Sequence, residues 1–214
     1  MKSTYVMKSV FARSFALGIA SLLVFALIAS LVGWRRIAWF DDRVIAAVQG
    51  RESDAVTSVM KFFSFIGSTA PVVVLTAAAM LVLYVLLKHR GELLFFAGVV
   101  VGSALLNVVL KLAFRRDRPT LHRLAEEAGY SFPSGHSMAA FSLYGVLVFL
   151  LWKHADARWA RLLLVALGLG ITVMIGISRI YLGVHYPSDV IGGYMASCAW
   201  LALCIAFYRR RPRQ

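Results

Sequence analysis

Acidic side chains are scarce in this sequence: ten Asp and Glu stand against 23 Lys and Arg in 214 residues, a net charge of +13. So few carboxylates leave no cluster of hard oxygen ligands suited to Mg²⁺. Cysteine is scarcer still. Cys198 and Cys204 lie inside an apolar run without the spacing of a zinc site, so they are expected to be small packing residues. Charged residues of both signs make up only 15% of the chain, whereas 60% is hydrophobic. That excess over a soluble domain, which is about half apolar, points to lipid as the solvent. The basic residues are spread over short loops and form no single stripe, which argues against a nucleic-acid partner. They suit either cytoplasmic helix ends facing anionic lipid or a cationic site for an anionic substrate. No internal repeat is evident.

What is present is a series of long apolar runs. About 20 such residues cross about 30 Å of hydrocarbon, and six stretches qualify: 14–33, 70–87, 92–110, 137–152, 162–177 and 190–208. Lys2, Lys8 and Arg13 before the first run resemble the start of a signal peptide. The run is too long for one, however, and ends at Trp34-Arg35-Arg36 without a clean cleavage site, so it is read as a span. Between residues 34 and 68, Val56, Val59, Met60, Phe63 and Ile66 recur at helical spacing. This predicts an amphipathic helix at the membrane surface or a connector packed on the bundle. The expected fold class is therefore all-α, a polytopic membrane bundle of six transmembrane helices with one peripheral amphipathic helix, the whole of 1–214 forming one domain. Arg209, Arg210, Arg211 and Arg213 after the last span favour a cytoplasmic C-terminus, and an even number of spans puts both termini there.

Three polar clusters fall at span ends: Lys111 to Pro119, Phe132 to His136, and Ser178 to Asp189. The first two share one loop and the third fills another, two spans later, so all three must emerge on the same face of the membrane. Their residue types suit phosphoryl transfer. Lys111 and Arg118 are seven apart, two helical turns, and share a face if the helix continues that far. Arg179 offers a fork of donors for phosphate oxygens. Pro133-Ser134-Gly135-His136 opens a helix whose N-terminal amides would bind an anion; Gly135 allows close approach, and Ser134 can donate a hydroxyl or cap the helix. His185 has Asp189 four residues on, close enough to hold one ring nitrogen and present the other as nucleophile, which leaves His136 as general acid.

The pattern Lys-x6-Arg-Pro, Pro-Ser-Gly-His, Ser-Arg-x5-His-x3-Asp is similar to the three-part signature of the type-2 phosphatidic acid phosphatase family, which vanadium-dependent haloperoxidases share on a soluble scaffold. The match runs from Lys111 to Asp189, and six spans resemble the bacterial membrane members. The resemblance implies a metal-independent lipid phosphatase with no cofactor, acting on phosphatidylglycerophosphate, undecaprenyl pyrophosphate or phosphatidate. It implies phosphate binding by Lys111, Arg118, Ser134, Gly135 and Arg179. It further implies His136 as acid, His185 as the nucleophile that becomes phosphohistidine, and Asp189 as its orienting partner. The site would face the periplasm or cell exterior from the cytoplasmic membrane. Two alternatives stay open: transfer of the phosphate to another acceptor, and a non-catalytic lipid-phosphate receptor or transporter. Arg115, Arg116, Glu126, Glu127 and Tyr130 are candidates for reading the head group. His89, His122 and His154 lie outside the pattern. Oligomeric state is not legible.

Overall fold

The computed structural model describes residues 2–87, 90–120 and 122–210. Eight α-helices run in the order α1 (Lys2–Gly33), α2 (Ala38–Gln49), α3 (Asp54–Ile66), α4 (Thr69–Leu87), α5 (Arg90–Phe114), α6 (Gly135–Leu151), α7 (Arg158–Tyr181) and α8 (Pro187–Arg210), with a short 3₁₀ turn at Trp152–His154. No strand occurs among the described residues. His89, Arg211 and Arg213 lie outside the described residues.

Among the described residues, five helices are long and apolar enough to cross a bilayer unaided, over Phe11–Gly33, Gly91–Phe114, Gly135–His154, Arg158–Tyr181 and Pro187–Arg210. Counting the pair α3–α4, bent by 57°, as one crossing gives six. Apolar side chains such as Leu23, Val74, Leu94 and Leu167 are exposed. On a soluble protein such a belt would drive aggregation; in a multi-pass membrane protein it is the lipid-facing surface.

The segment between the first and second predicted spans differs from the expectation of one helix: it folds as two. The additional helix, α2, packs against α7 and α8. Helix α3 is the expected amphipathic one. Its Val56 and Met60 pack against the buried cluster of Tyr181, Leu182 and Val184, while Val59, Phe62 and Phe65 are exposed. Ser53 caps α3 by accepting the Val56 amide at 3.3 Å. After Gly67 the chain restarts as α4 with Pro71 in its first turn, where the missing N–H costs nothing.

Two apolar clusters hold the bundle. One joins α4, α5, α6 and α8 through Val72, Phe96, Val99, Leu143, Val146 and Leu201. The other lies beneath the loop that opens α6. There Phe132, fully buried, stacks on Phe25 of α1 at 5.7 Å and meets Phe114 of α5 edge-on at 5.1 Å. Cys198 and Cys204 are half-buried free thiols in α8. Phe132→Ala should cost about 3–5 kcal/mol, since it empties a site walled by three elements. Leu94→Ala, on the lipid-facing surface, should change stability by only ~0.5 kcal/mol. Unfolding of the two variants in detergent micelles checks the contrast.

Candidate active site

Helix α5 ends at Phe114 because Arg115 adopts φ 46°, a left-handed conformation that stops the helical ladder. Lys111 and Arg118 therefore do not share a helix face, contrary to the sequence-based expectation. From Arg115 to Pro119 the chain has no regular secondary structure, and the proline disfavours helix at the residue before it. Arg116 and Arg118 turn inward while Asp117 stays exposed.

Arg118 is buried, and all five of its N–H groups are engaged. Nε donates to Gly129 O at 2.9 Å, Nη2 to Ala128 O and Tyr130 O at 3.0 and 3.2 Å, and Nη1 to Val184 O at 2.9 Å and to the His185 ring at 3.1 Å. The side chain thus stitches the α5–α6 loop to the α7–α8 loop. It can reach a phosphate only by exchanging one of these bonds, and the contact with His185 is the one that faces the other site residues.

That contact also assigns the imidazole tautomer. Arginine only donates, so His185 Nε2 must accept and its proton must sit on Nδ1. Nδ1 lies 3.3 Å from Asp189 Oδ2. The lone pair of Nε2 is thereby aimed toward the cations. His185 is buried, and burial lowers its pKa from the ordinary 6.5 to about 4; the Asp189 hydrogen bond and charge oppose this, and Arg179 and Arg118 add to it. Burial also lowers the Arg118 pKa, against the charges of Glu127 and Asp189.

Asp189 stands at the third position of α8. Its Oδ2 accepts the Tyr186 amide at 2.8 Å, the reciprocal half of a capping box, with Pro187 at the first helical position. Ser131 donates to the same oxygen. Ser134 caps α6 by accepting the Ser137 amide at 3.4 Å, and its own amide donates to Asp189 O at 3.0 Å. Of the two roles open to Ser134, the structure shows the cap. Gly135 lies against Asn107 of α5: an added Cβ would come within 3.0 Å of its Oδ1. The first amides of α6 have no intrahelical acceptor, as at any helix N-terminus.

Arg179, in the last turn of α7, is buried; its Nη groups contact Ser64 and Glu127, while Nε is buried with no partner among the described residues. Lys111, in the last turn of α5, is within electrostatic reach of Arg118, Arg179, Glu127 and Asp189. His136, half-buried, is within reach of Arg179, His185, Lys111 and Arg118. A cavity of about 450 Å³ opens beside His136 and Arg179, lined by Ser64, Ser68 and Thr69 of the α3–α4 bend and by Glu126 and Glu127. No group of three or more His, Cys, Asp and Glu placed to hold a metal occurs among the described residues.

Other functional candidates are placed differently from the expectation. Arg116 does not reach outward to a head group; it is held between two buried carboxylates, Asp41 at 2.8 Å and Asp189 at 2.6 Å. Asp41, in an Asp-Asp-Arg cluster that matches no motif, carried no signal beyond being one of few acids in the chain. Glu127 pairs with Arg179 and lies 3.9 Å from Arg118. Arg115 and Glu126 are exposed. His122 is on a loop and pairs with Glu52 at 2.7 Å, and His154 is exposed in the 3₁₀ turn.

The PAP2 superfamily pattern matches residues 92–213, more than half of the chain. The chain belongs to the PAP2 superfamily. Phosphatidylglycerophosphatase B of Bacillus subtilis is 30% identical over 181 residues, covering 82% of this chain and 87% of that protein. An undecaprenyl-diphosphatase of Sulfolobus acidocaldarius is 25% identical over 184 residues, 84% of each. The crystal structure of the transmembrane PAP2-type phosphatidylglycerolphosphate phosphatase from B. subtilis superposes with a TM-score of 0.82 at 29% identity, over 92% of this chain and 98% of that one.

In this PAP2 member, a lowered His185 pKa means the ring stays neutral on acidification until the pH falls through about 4. Histidine NMR of the protein in detergent should show His185 titrating near that value, far below a free imidazole. After correction for the substrate's own second ionisation near pH ~6, kcat/KM should hold its value below pH ~5, because it reports the free enzyme. A midpoint near the ordinary value would contradict the buried, neutral ring.

Proposed function

We propose that this protein removes phosphate from a membrane lipid phosphate monoester or pyrophosphate through a phosphohistidine on His185. The chain is a lipid phosphate hydrolase of the PAP2 superfamily. The observation that carries it is the His185 ring, with Nδ1 against Asp189 and the Nε2 lone pair beside Arg118, next to an Arg179 Nε that has no partner. A buried guanidinium N–H without an acceptor costs about 1–3 kcal/mol, and more for a charged group. An anion between Arg179, Lys111 and the α6 amides would remove that cost.

In the proposed reaction Nε2 attacks phosphorus, the P–N bond forms and the P–O bond to the lipid breaks. His136 gives its proton to the departing oxygen. Water then attacks the phosphohistidine with His136 taking the proton, P–N breaks and inorganic phosphate leaves. Arg179, Lys111, Arg118 and the amides of Gly135 and His136 stabilise the equatorial oxygens, while Asp189 balances the charge developing on the ring. A general acid must face the leaving group, so the lipid would lie on the His136 side, in the cavity beside the α3–α4 bend. The relatives named as phosphatidylglycerophosphatase and undecaprenyl-diphosphatase make phosphatidylglycerophosphate and undecaprenyl pyrophosphate the first substrates to test, with phosphatidate third. The proposed location is the cytoplasmic membrane with both termini inside and the site outside. Basic Arg209 and Arg210 end α8 at the rim opposite the site, which supports that orientation.

Phosphate release from these three lipids in excess EDTA tests the reading. Wild type should retain full activity with chelator, and His185→Ala should lose it on every substrate; loss with EDTA, or an active His185→Ala, would end the proposal. Arg179→Lys should lower kcat/KM roughly 100-fold, the scale of one lost transition-state donor, because an ammonium cannot replace the planar fork. Steady-state kinetics on whichever lipid is turned over measures it.

A further inference from the structure

The Lys111–Asp189 signature contains Arg118, His185 and Asp189, but not the two residues that complete the polar network around them. Arg116 and Arg118 lie two apart in the α5–α6 loop and both turn inward, while Asp117 between them is exposed. Arg118 Nη1 reaches His185 Nε2 at 3.1 Å, and Arg116 Nη1 reaches Asp189 Oδ1 at 2.6 Å. One stretch of chain thus holds both members of the His–Asp pair. Arg116 is held in turn. Its Nη1 also donates to Ser188 Oγ at 2.8 Å, its Nη2 donates to Asp41 Oδ2 at 2.8 Å, and its guanidinium stacks 4.0 Å above the Tyr186 ring.

Asp41 of α2 is fully buried. It accepts the Ser188 amide at 2.8 Å on Oδ1 and the Ser188 hydroxyl at 2.7 Å on Oδ2. Asp41 therefore holds the first turn of α8 from outside, beside the residue that holds His185. Asp189 uses Oδ2 for Ser131, the Tyr186 amide and His185, so Arg116 takes the carboxylate's other oxygen. Without that bond Oδ1 would lose its partner and Asp189 the adjacent cation that balances its charge. We infer that Arg116, anchored by Asp41, is a positioning residue that fixes the Asp189 carboxylate and balances its charge, so that His185 presents Nε2 to the phosphorus. The inference rests on the assignment of His185 as nucleophile.

The charge arithmetic makes it testable. Asp41, Arg116 and Asp189 together carry one net negative charge. Asp41→Asn makes the set neutral, Arg116→Gln makes it doubly negative, and the double variant restores one negative charge. The other charges facing the pair are Arg118 and Glu127 from the α5–α6 loop, Lys111 of α5, His136 of α6, Arg179 of α7 and Asp42 of α2, and none changes in this set. His185 should titrate lower in Asp41→Asn by roughly half a pH unit and higher in Arg116→Gln by roughly one. The double variant should return toward wild type.

Histidine NMR in detergent, with the His185 resonance assigned by His185→Gln, reads this without turnover. In lipid phosphate hydrolysis Arg116→Gln should lower kcat at least tenfold with KM nearly unchanged, because Arg116 does not face the phosphate cations. Shifts of the same sign in both single variants, no shift in either, or a raised KM with unchanged kcat would overturn the inference. If Arg116→Gln does not fold, Asp41→Asn and the double variant still decide it, since their His185 midpoints must differ in the stated order. If the titrations move as expected while His185→Ala remains active, the network stands and the assignment of the nucleophile falls.

Discussion

The structure depends on how a guanidinium can be buried at a membrane rim. Arg118 is taken out of water with its charge, and removal of such a group from water is tolerated only when its donors are all met. Four backbone carbonyls and one imidazole meet them. Those acceptors come from two loops, one between α5 and α6 and one between α7 and α8, that share no local sequence. Once Arg118 is satisfied, the two loops have no freedom to separate. The backbone reinforces this where Gly183, at φ 70°, lets the loops touch: a Cβ there would fall 1.8 Å from His122 O. Leu124 donates to Leu182 O beside it at 3.0 Å. The position of His185 follows from that closure and not from α7 or α8 alone.

How much of this was legible in the sequence differs by scale. Span positions were legible because lipid imposes one rule, a continuous apolar run with its backbone bonded internally. Their ends were less so. α5 runs on to Phe114 and stops because Arg115 enters a left-handed conformation, for which arginine gives no signal. The convergence of the three clusters was legible from span parity, since two crossings return the chain to the same face. The manner of convergence was not. Lys111 and Arg118 meet the site from a helix end and from an irregular loop, where helical spacing suggested a shared face. The helix α2 was missed because its link to the site runs through isolated polar side chains, Asp41 and Gln49, and the short Asp41-Asp42-Arg43 cluster carries no motif.

Charge balance explains the rest of the site's composition. The rim gathers Lys111, Arg118 and Arg179 with Arg116 close by, and three carboxylates stand among them: Asp41, Glu127 and Asp189. These are a large part of a small acidic complement. The carboxylates divide into two kinds by burial. Asp41 and Asp189 are fully buried and bonded on both oxygens, so they belong to the fixed frame. Glu127 is partly exposed on a loop, pairs with Arg179, which lines the cavity, and lies 3.9 Å from Arg118.

The bend between α3 and α4 relates the rim to the bilayer. Gly67 sits where α6 and α7 come closest to the bend: a Cβ would press within 2.6 Å of Ile175 and 3.3 Å of the His136 ring. A straight helix through this point, or any larger residue, would push α4 away from His136. The bend lets Ser64, Ser68 and Thr69 line the cavity with polar groups, while α4 beyond it runs into the apolar belt. A lipid phosphate has the same division, polar at the reacting end and apolar over the rest. In the proposed reaction the Lys111–Asp189 signature would meet the reacting end, and the bend, which lies outside that signature, would let the other end stay in the membrane.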